Sequence, residues 1–173
     1  MRIDIITVLP ELLESPDGWD SLVINRRKPV THRVHRNIGD IRVCLHYFEE
    51  CLPSEAFEHP HPWPAAFAIM SGSYLMKLGQ SSDRHTKPLT MDPTILMVHG
   101  SQYEIVDPLT WHSVIPNDKH GVYTIMVNGE PWPPEIAHTE VRTTKGKDLD
   151  KLSPQELQRM LSIFKSFLRD WYL

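Results

Sequence analysis

From residue 41 the chain alternates. Ile41, Val43, Leu45 and Tyr47 interleave with Arg42, Cys44, His46 and Phe48, the period-two pattern of a strand whose two faces meet different surroundings. Short runs of β-like character follow at 66–70, 74–78, 94–98, 103–106, 112–115 and 122–127. Turn-forming stretches separate them, among them Ser71-Gly72, His99-Gly100, Asp107-Pro108 and the segments 79–83 and 117–121. Many short strands without helical crossovers predict an antiparallel sandwich or barrel, and argue against a parallel α/β sheet.

The two ends differ from this middle. The first forty residues are mixed, with a short helix expected over 5–13 and a turn at Ser15-Pro16-Asp17-Gly18. Near the end, Ser153-Pro154-Gln155-Glu156 combines an N-cap serine, a proline at the first helical position and a glutamate placed for a capping box. Leu157, Met160, Leu161, Phe164, Phe167, Leu168 and Trp171 then recur at helical spacing. They predict a helix over 154–171 whose apolar face docks on the barrel or on a second subunit. At 173 residues the chain is expected to form one domain, 1–173, with a barrel core over about 41–128.

Composition narrows the function classes. A formal net charge of −4 does not suit nucleic acid or an anionic membrane as partner. One basic cluster, Arg26, Arg27, Lys28, Arg33 and Arg36, reads as solvated surface, with an anion-binding patch as the sharper alternative. No apolar run has the length of a signal sequence or a membrane span. Cys44 and Cys51 form no CxxC pair and read as reduced, buried thiols. The expectation is a soluble, cytoplasmic protein. Its ten histidines are many for this length, and most of them, including His85, His99, His120 and His138, fall in polar segments that read as surface.

Two others do not. The stretch HPHPWP, residues 59–64, puts His59, His61 and Trp63 on one face of an extended chain and three prolines on the other. Proline removes backbone donors from one edge and fixes φ near about −65°, so the stretch reads as a stiff edge strand presenting two imidazoles. Two imidazoles on one strand face can reach one metal ion, provided a third ligand comes from elsewhere.

These residues resemble the cupin superfamily. Its first motif has the form G-x5-H-x-H-x3,4-E-x6-G, and here Gly72 follows the second histidine by eleven residues, the family's spacing. Pro108-Leu109-Thr110-Trp111-His112 looks like the second motif. Leu45-His46, His-x-His-Pro-Trp and Ser71-Gly72-Ser73-Tyr74 together are similar to uncharacterised cupin proteins of bacteria and their phages. The first motif's glutamate position holds Ala65, and the second motif's glycine and asparagine positions hold Leu109 and Pro116. The resemblance implies an all-β, double-stranded β-helix (jelly-roll) fold, with the C-terminal helix and short N-terminal helical segment appended. It implies His59, His61 and His112 as metal ligands, in the three-histidine manner of thiol dioxygenases.

On that basis the leading expectation is a metal-binding cupin, a mononuclear non-haem iron oxygenase acting on a small molecule. Iron(II) is the expected metal, and imidazole ligation leaves nickel, zinc, copper or manganese open. A metal-dependent or metal-free isomerase or epimerase, and a non-catalytic small-molecule-binding module, are the alternatives. His46, on the face opposite Ile41, Val43 and Leu45, either lines the barrel or lies exposed. Trp63, Tyr74, Gln102 and Glu104 are further pocket candidates, with a solvated strand face as the commoner reading of Gln102 and Glu104, whereas Trp111 should point away from His112. Partners other than a small molecule reduce to a homodimer.

Overall fold

The computed structural model describes residues 5–140 and 149–171. A helix α1 (Ile5–Leu12) opens the chain and a longer helix α2 (Pro154–Trp171) closes it. Among the described residues between them run ten strands: β1 (Asp20–Ile24), β2 (Thr31–Ile38), β3 (Ile41–Phe48), β4 (His59–Pro60), β5 (Ala65–Ser71), β6 (Ser73–Gln80), β7 (Thr94–Val98), β8 (Gln102–Ile105), β9 (Thr110–Pro116) and β10 (Val122–Asn128). They form a six-stranded sheet in the order β1-β2-β3-β10-β5-β8 and a four-stranded sheet in the order β4-β9-β6-β7. Every strand pair is antiparallel.

The expected middle strands are all present. The six-stranded sheet reaches back to Asp20, earlier than the start expected near residue 41, because β1 and β2 add two antiparallel strands beside β3. The segment before α2 continues this edge: the Val23 N–H donates to the Asp150 carbonyl at 2.8 Å.

The chain passes from one sheet to the other at Ser71-Gly72-Ser73. Gly72 has φ +79°, and a Cβ there would meet the Gly121 carbonyl oxygen at 2.7 Å. The corner therefore needs glycine for both its backbone angle and its close approach to the 117–121 turn.

Alternation gives the six-stranded sheet two different faces. Val34, Val43, Leu45, Met70 and Ile125 pack against Leu9, Leu13, Trp19, Met160, Leu161, Phe164 and Leu168 from the two helices and their flanks. So the apolar stripe of α2 docks on the barrel. Ser153 caps that helix: the Ser153 N–H donates to a Glu156 carboxylate oxygen at 2.7 Å and the Glu156 N–H to Ser153 Oγ at 3.3 Å. The opposite face of the same sheet looks into the barrel. There Ile69, Tyr74, Met76, Met97, Val114 and Val122 fill one end, and Cys44, Ala65, Phe67, Ile105 and Met126 form a second cluster. Among the described residues no helix is long and apolar enough to cross a membrane. Cys44 and Cys51 are free and buried.

Candidate metal centre

β4 and β9 pair with His59 opposite His112 and Pro60 opposite Trp111. The pairing stops there, because 61–64 leave the strand before β5 begins. The HPHPWP stretch is therefore a two-residue edge strand followed by a bend, rather than one continuous strand. Two backbone bonds hold the bend: the Trp132 N–H donates to the Pro62 carbonyl at 2.8 Å and the Gly129 N–H to the Pro64 carbonyl at 3.1 Å. His61 still lies beside His59, with ring centroids 5.2 Å apart.

The three imidazoles converge. One ring nitrogen from each of His59, His61 and His112 lies within 4.8 Å of the other two. Nε2 of His61 and Nε2 of His112 are 2.7 Å apart. Two nitrogens bound at right angles to one ion, each at about 2.1 Å, would be about 3 Å apart, so the spacing suits a shared metal. His59 is oriented from behind: its Nδ1–H donates to the Phe57 carbonyl at 3.2 Å, which leaves the Nε2 lone pair for a ligand. The Phe57 ring stacks on His59 at 4.9 Å and 3°, and the Arg27 guanidinium sits 3.7 Å from the Phe57 centroid. Burial lowers the pKa of His59 to about 4 and holds those of His61 and His112 well below the ordinary histidine value. All three are thus neutral at pH 7, the form that binds metal. The donor set, its spacing and its protonation all fit a divalent transition metal.

The barrel wall facing this cluster is polar in part. His46 is buried and points inward. Its Nε2 accepts a hydrogen bond from Arg33 Nε at 2.8 Å, so a neutral ring carries its proton on Nδ1, 3.4 Å from Thr124 Oγ1. Burial, then the charge of Arg33, pushes the His46 pKa well down, and the same charge acts on His59 and His61. Phe67 stands edge-on to His61 at 5.5 Å and stacks on Tyr103 at 4.5 Å. Tyr74 lies beyond, donating from its hydroxyl to the Tyr103 hydroxyl at 2.9 Å. Trp63 packs against the cluster of Cys44, Ala65 and Phe67, and Ala65 is itself buried where the cupin motif has glutamate.

Three expectations need correction. Gln102 and Glu104 are exposed on the outer face of β8, because Ile105 is buried and Tyr103 stacks on Phe67 within the barrel. Arg33 belongs to the interior instead of the solvated basic cluster. His138 is buried, with its ring edge-on to Trp111 at 5.0 Å and Nε2 bonded to the Thr86 carbonyl at 3.0 Å. Trp111 does turn away from His112. It lines an outer groove of about 680 Å³ together with Arg27, Phe57, Lys77 and Lys87, and none of the three clustered histidines borders that groove. Arg33, Phe67 and Thr124 are the wall residues that sequence reasoning missed. For Phe67 the signal was the apolar phase of β5.

Two antiparallel sheets closed around a histidine cluster, with a glycine corner between β5 and β6, define a cupin-type jelly-roll fold. No protein-family model and no curated protein sequence matches the chain, but solved structures share its fold. Iron(II) HppE aligns with TM-score 0.52 and 15% identity over 66% of this chain and 58% of that one. Iron(II) HppE in complex with substrate (form 2) aligns with TM-score 0.50 and 16% identity over 66% and 58%. Hydroxypropylphosphonic acid epoxidase from S. wedmorenis aligns with TM-score 0.48 and 14% identity over 67% and 57%. The match spans less than two thirds of the length of each of these neighbours, and at such identity the likeness is one of fold.

Proposed function

We propose that this protein is a metal-dependent cupin enzyme, a mononuclear non-haem iron oxygenase acting on a small molecule. The observation that carries the reading is the convergence of the His59, His61 and His112 ring nitrogens within 4.8 Å inside the barrel. The iron(II) in the structure of HppE, which shares this fold, supports the choice of metal. A bound iron(II) would supply dioxygen activation and open positions for substrate.

The chain's own residues supply the rest. The β4–β9 pairing sets the spacing of two imidazoles, and the bend held through Pro62 and Pro64 delivers the third. The Phe57 carbonyl fixes the His59 tautomer. Phe67 and Trp63 line the inner wall with apolar surface that excludes water. With alanine at 65, the three protein donors are all neutral, so a dipositive ion keeps its charge until an anionic ligand arrives.

Reconstitution with iron(II) followed by elemental analysis tests this. Wild-type protein should hold about one ion per chain. His112→Ala should lose metal affinity by more than the ~10–100-fold typical of changes outside the ligand set. Only background metal in the wild type would overturn the proposal. Metal retained without oxygen consumption against a panel of small acids would transfer the case to the isomerase.

A further inference from the structure

We propose that the guanidinium of Arg33 is the anion-binding half of the substrate site, and that the substrate is a small molecule carrying a carboxylate, phosphate or phosphonate group. The inference rests on the metal-dependent reading above and adds the substrate's chemical class and the residue that selects it.

Arg33 is paired across β2–β3 with His46, while its neighbour Val34 belongs to the core on the opposite, helix-packed face. Its side chain is half-buried and directed into the barrel with His46. Among the described residues it makes one hydrogen bond, from Nε to His46 Nε2 at 2.8 Å, and no carboxylate lies within ion-pair distance of it. The two terminal NH2 groups therefore carry donors that no described protein group accepts.

An uncompensated charge in such a setting is costly. A hydrophobic residue would serve packing better, so the charge needs another account. The manner of its anchoring supplies one. Buried charges are ordinarily paired, and a carboxylate partner would orient the fork and cancel its charge together. Here a neutral imidazole, itself set by Thr124, orients the fork and leaves the charge intact. The nearby Cys44 thiol does not cancel it either, since burial pushes its pKa up and keeps it protonated.

The planar guanidinium fork matches an oxyanion in two-pronged fashion, and it is always charged. Its field reaches His59 and His61, so one compact ligand could answer both the arginine and an ion on the histidines. Three neutral ligands favour an anionic partner for that ion as well. The outer groove offers a contrast. Its Arg27, Lys28, Lys77 and Lys87 stand on the outside with Glu55 and Glu58 beside them, and none of the three clustered histidines borders it.

The test uses full-length protein loaded with cobalt(II), metal content measured first. The probes are glycolate, 3-hydroxypropionate, 4-hydroxybutyrate and hydroxymethylphosphonate, with the amides of the three carboxylic acids as neutral controls, followed by calorimetry and the cobalt absorption spectrum. At least one acid should bind wild-type protein about tenfold or more tightly than its amide, and Arg33→Gln should sharply reduce that preference at unchanged metal content, leaving only the metal's own share. A preference unchanged in Arg33→Gln would place the anion on the metal alone and overturn the proposal. Arg33→Lys should keep part of it, since charge remains without the fork. The relative affinity of carboxylates and phosphonate identifies which oxyanion the site prefers. Equal binding of every acid and amide by metal-loaded wild type would overturn the proposal, with no variant needed. Absence of metal from the wild type would instead defeat the metal-dependent reading, and is seen separately in the metal analysis.

Discussion

Neighbouring residues on β2, β3 and β10 meet two different worlds. Val34, Leu45 and Ile125 point to the helices and bury aliphatic surface against Phe164, Leu161 and Leu168. Arg33, His46 and Thr124, each one residue away, point into the barrel and join a hydrogen-bonded line facing the histidine cluster. One sheet thus carries packing on one face and polar chemistry on the other. The helix face stabilises by removing apolar area from water, at roughly 25 cal/mol per Å². The barrel face keeps titratable groups where burial penalises their charged forms. The contrast teaches that this fold tolerates a costly interior because α1 and α2 give the same sheet a second, conventional core.

The largest expected effect follows from acid. In the metal-free protein, His46, His59, His61 and His112 all have pKa values depressed by burial, His59 to about 4. The unfolded chain takes up protons on these rings below about pH 6.5, while the native state does not. Their neutral burial is thus fully tolerated above about pH 6.5, and stability falls as pH drops from there toward the native values. Each ring contributes a loss of about 1.4 kcal/mol per pH unit in that window. Urea titrations at pH 7, 6 and 5 should show the midpoint falling steeply. A flat profile would mean that these rings are hydrated in the metal-free state. Bound metal should shift the fall to lower pH, because ligation also favours the neutral rings.

Next in size is the helix face. Phe164 is fully buried between α2 and the sheet, edge-on to Tyr123 at 5.9 Å and Phe167 at 6.0 Å. Phe164→Ala should cost about 3–5 kcal/mol in urea unfolding at pH 7, through lost transfer energy and a cavity. If the two faces are independent, metal stoichiometry at low temperature should not change. Metal loss in parallel with stability would show that the helix sets the site's geometry through the sheet.

The helix face was also the legible one. Apolar residues at helical spacing gave α2 its bounds, alternation gave β3, and short β-like runs between turns gave β5, β6, β7, β8, β9 and β10. His59, His61 and His112 could be named together through the resemblance to the cupin motifs, whose short His-x-His spacing, glycine and later Trp-His pair each leave a local mark. The barrel face left weaker marks. In β2, whose sequence is THRVHRNI, the inward positions hold Arg33 and His35, so the strand lacks the apolar alternation that identifies strands. Alternation also tells which residues share a face, never which face is inside. The shared face of Gln102 and Glu104 is therefore open in the sequence to either a pocket or solvent, and it is the burial of Ile105 in the other phase that turns it outward. The bend at 61–64 depends on backbone bonds to Gly129 and Trp132, more than sixty residues away, and no local pattern encodes it.

The smallest effect gives the sharpest comparison, since it uses adjacent residues of β10. Ile125 packs toward the helices and Thr124 toward His46, and a β-bulge in the pairing with β5 falls between Tyr123 and Thr124. Ile125→Val removes one buried methyl group and should cost about 0.5–1.5 kcal/mol. Thr124→Val keeps the shape but takes the oxygen from the His46 Nδ1–H, a long contact of 3.4 Å, and should cost about 1 kcal/mol. Unfolding alone will scarcely separate the two. The 15N shifts of the His46 ring will: Ile125→Val should leave them unchanged, whereas Thr124→Val should move them as the ring loses the partner that holds its proton on Nδ1. An equal response to both substitutions would show that the faces communicate through the strand. An unmoved His46 in Thr124→Val would mean that Arg33 alone fixes the ring.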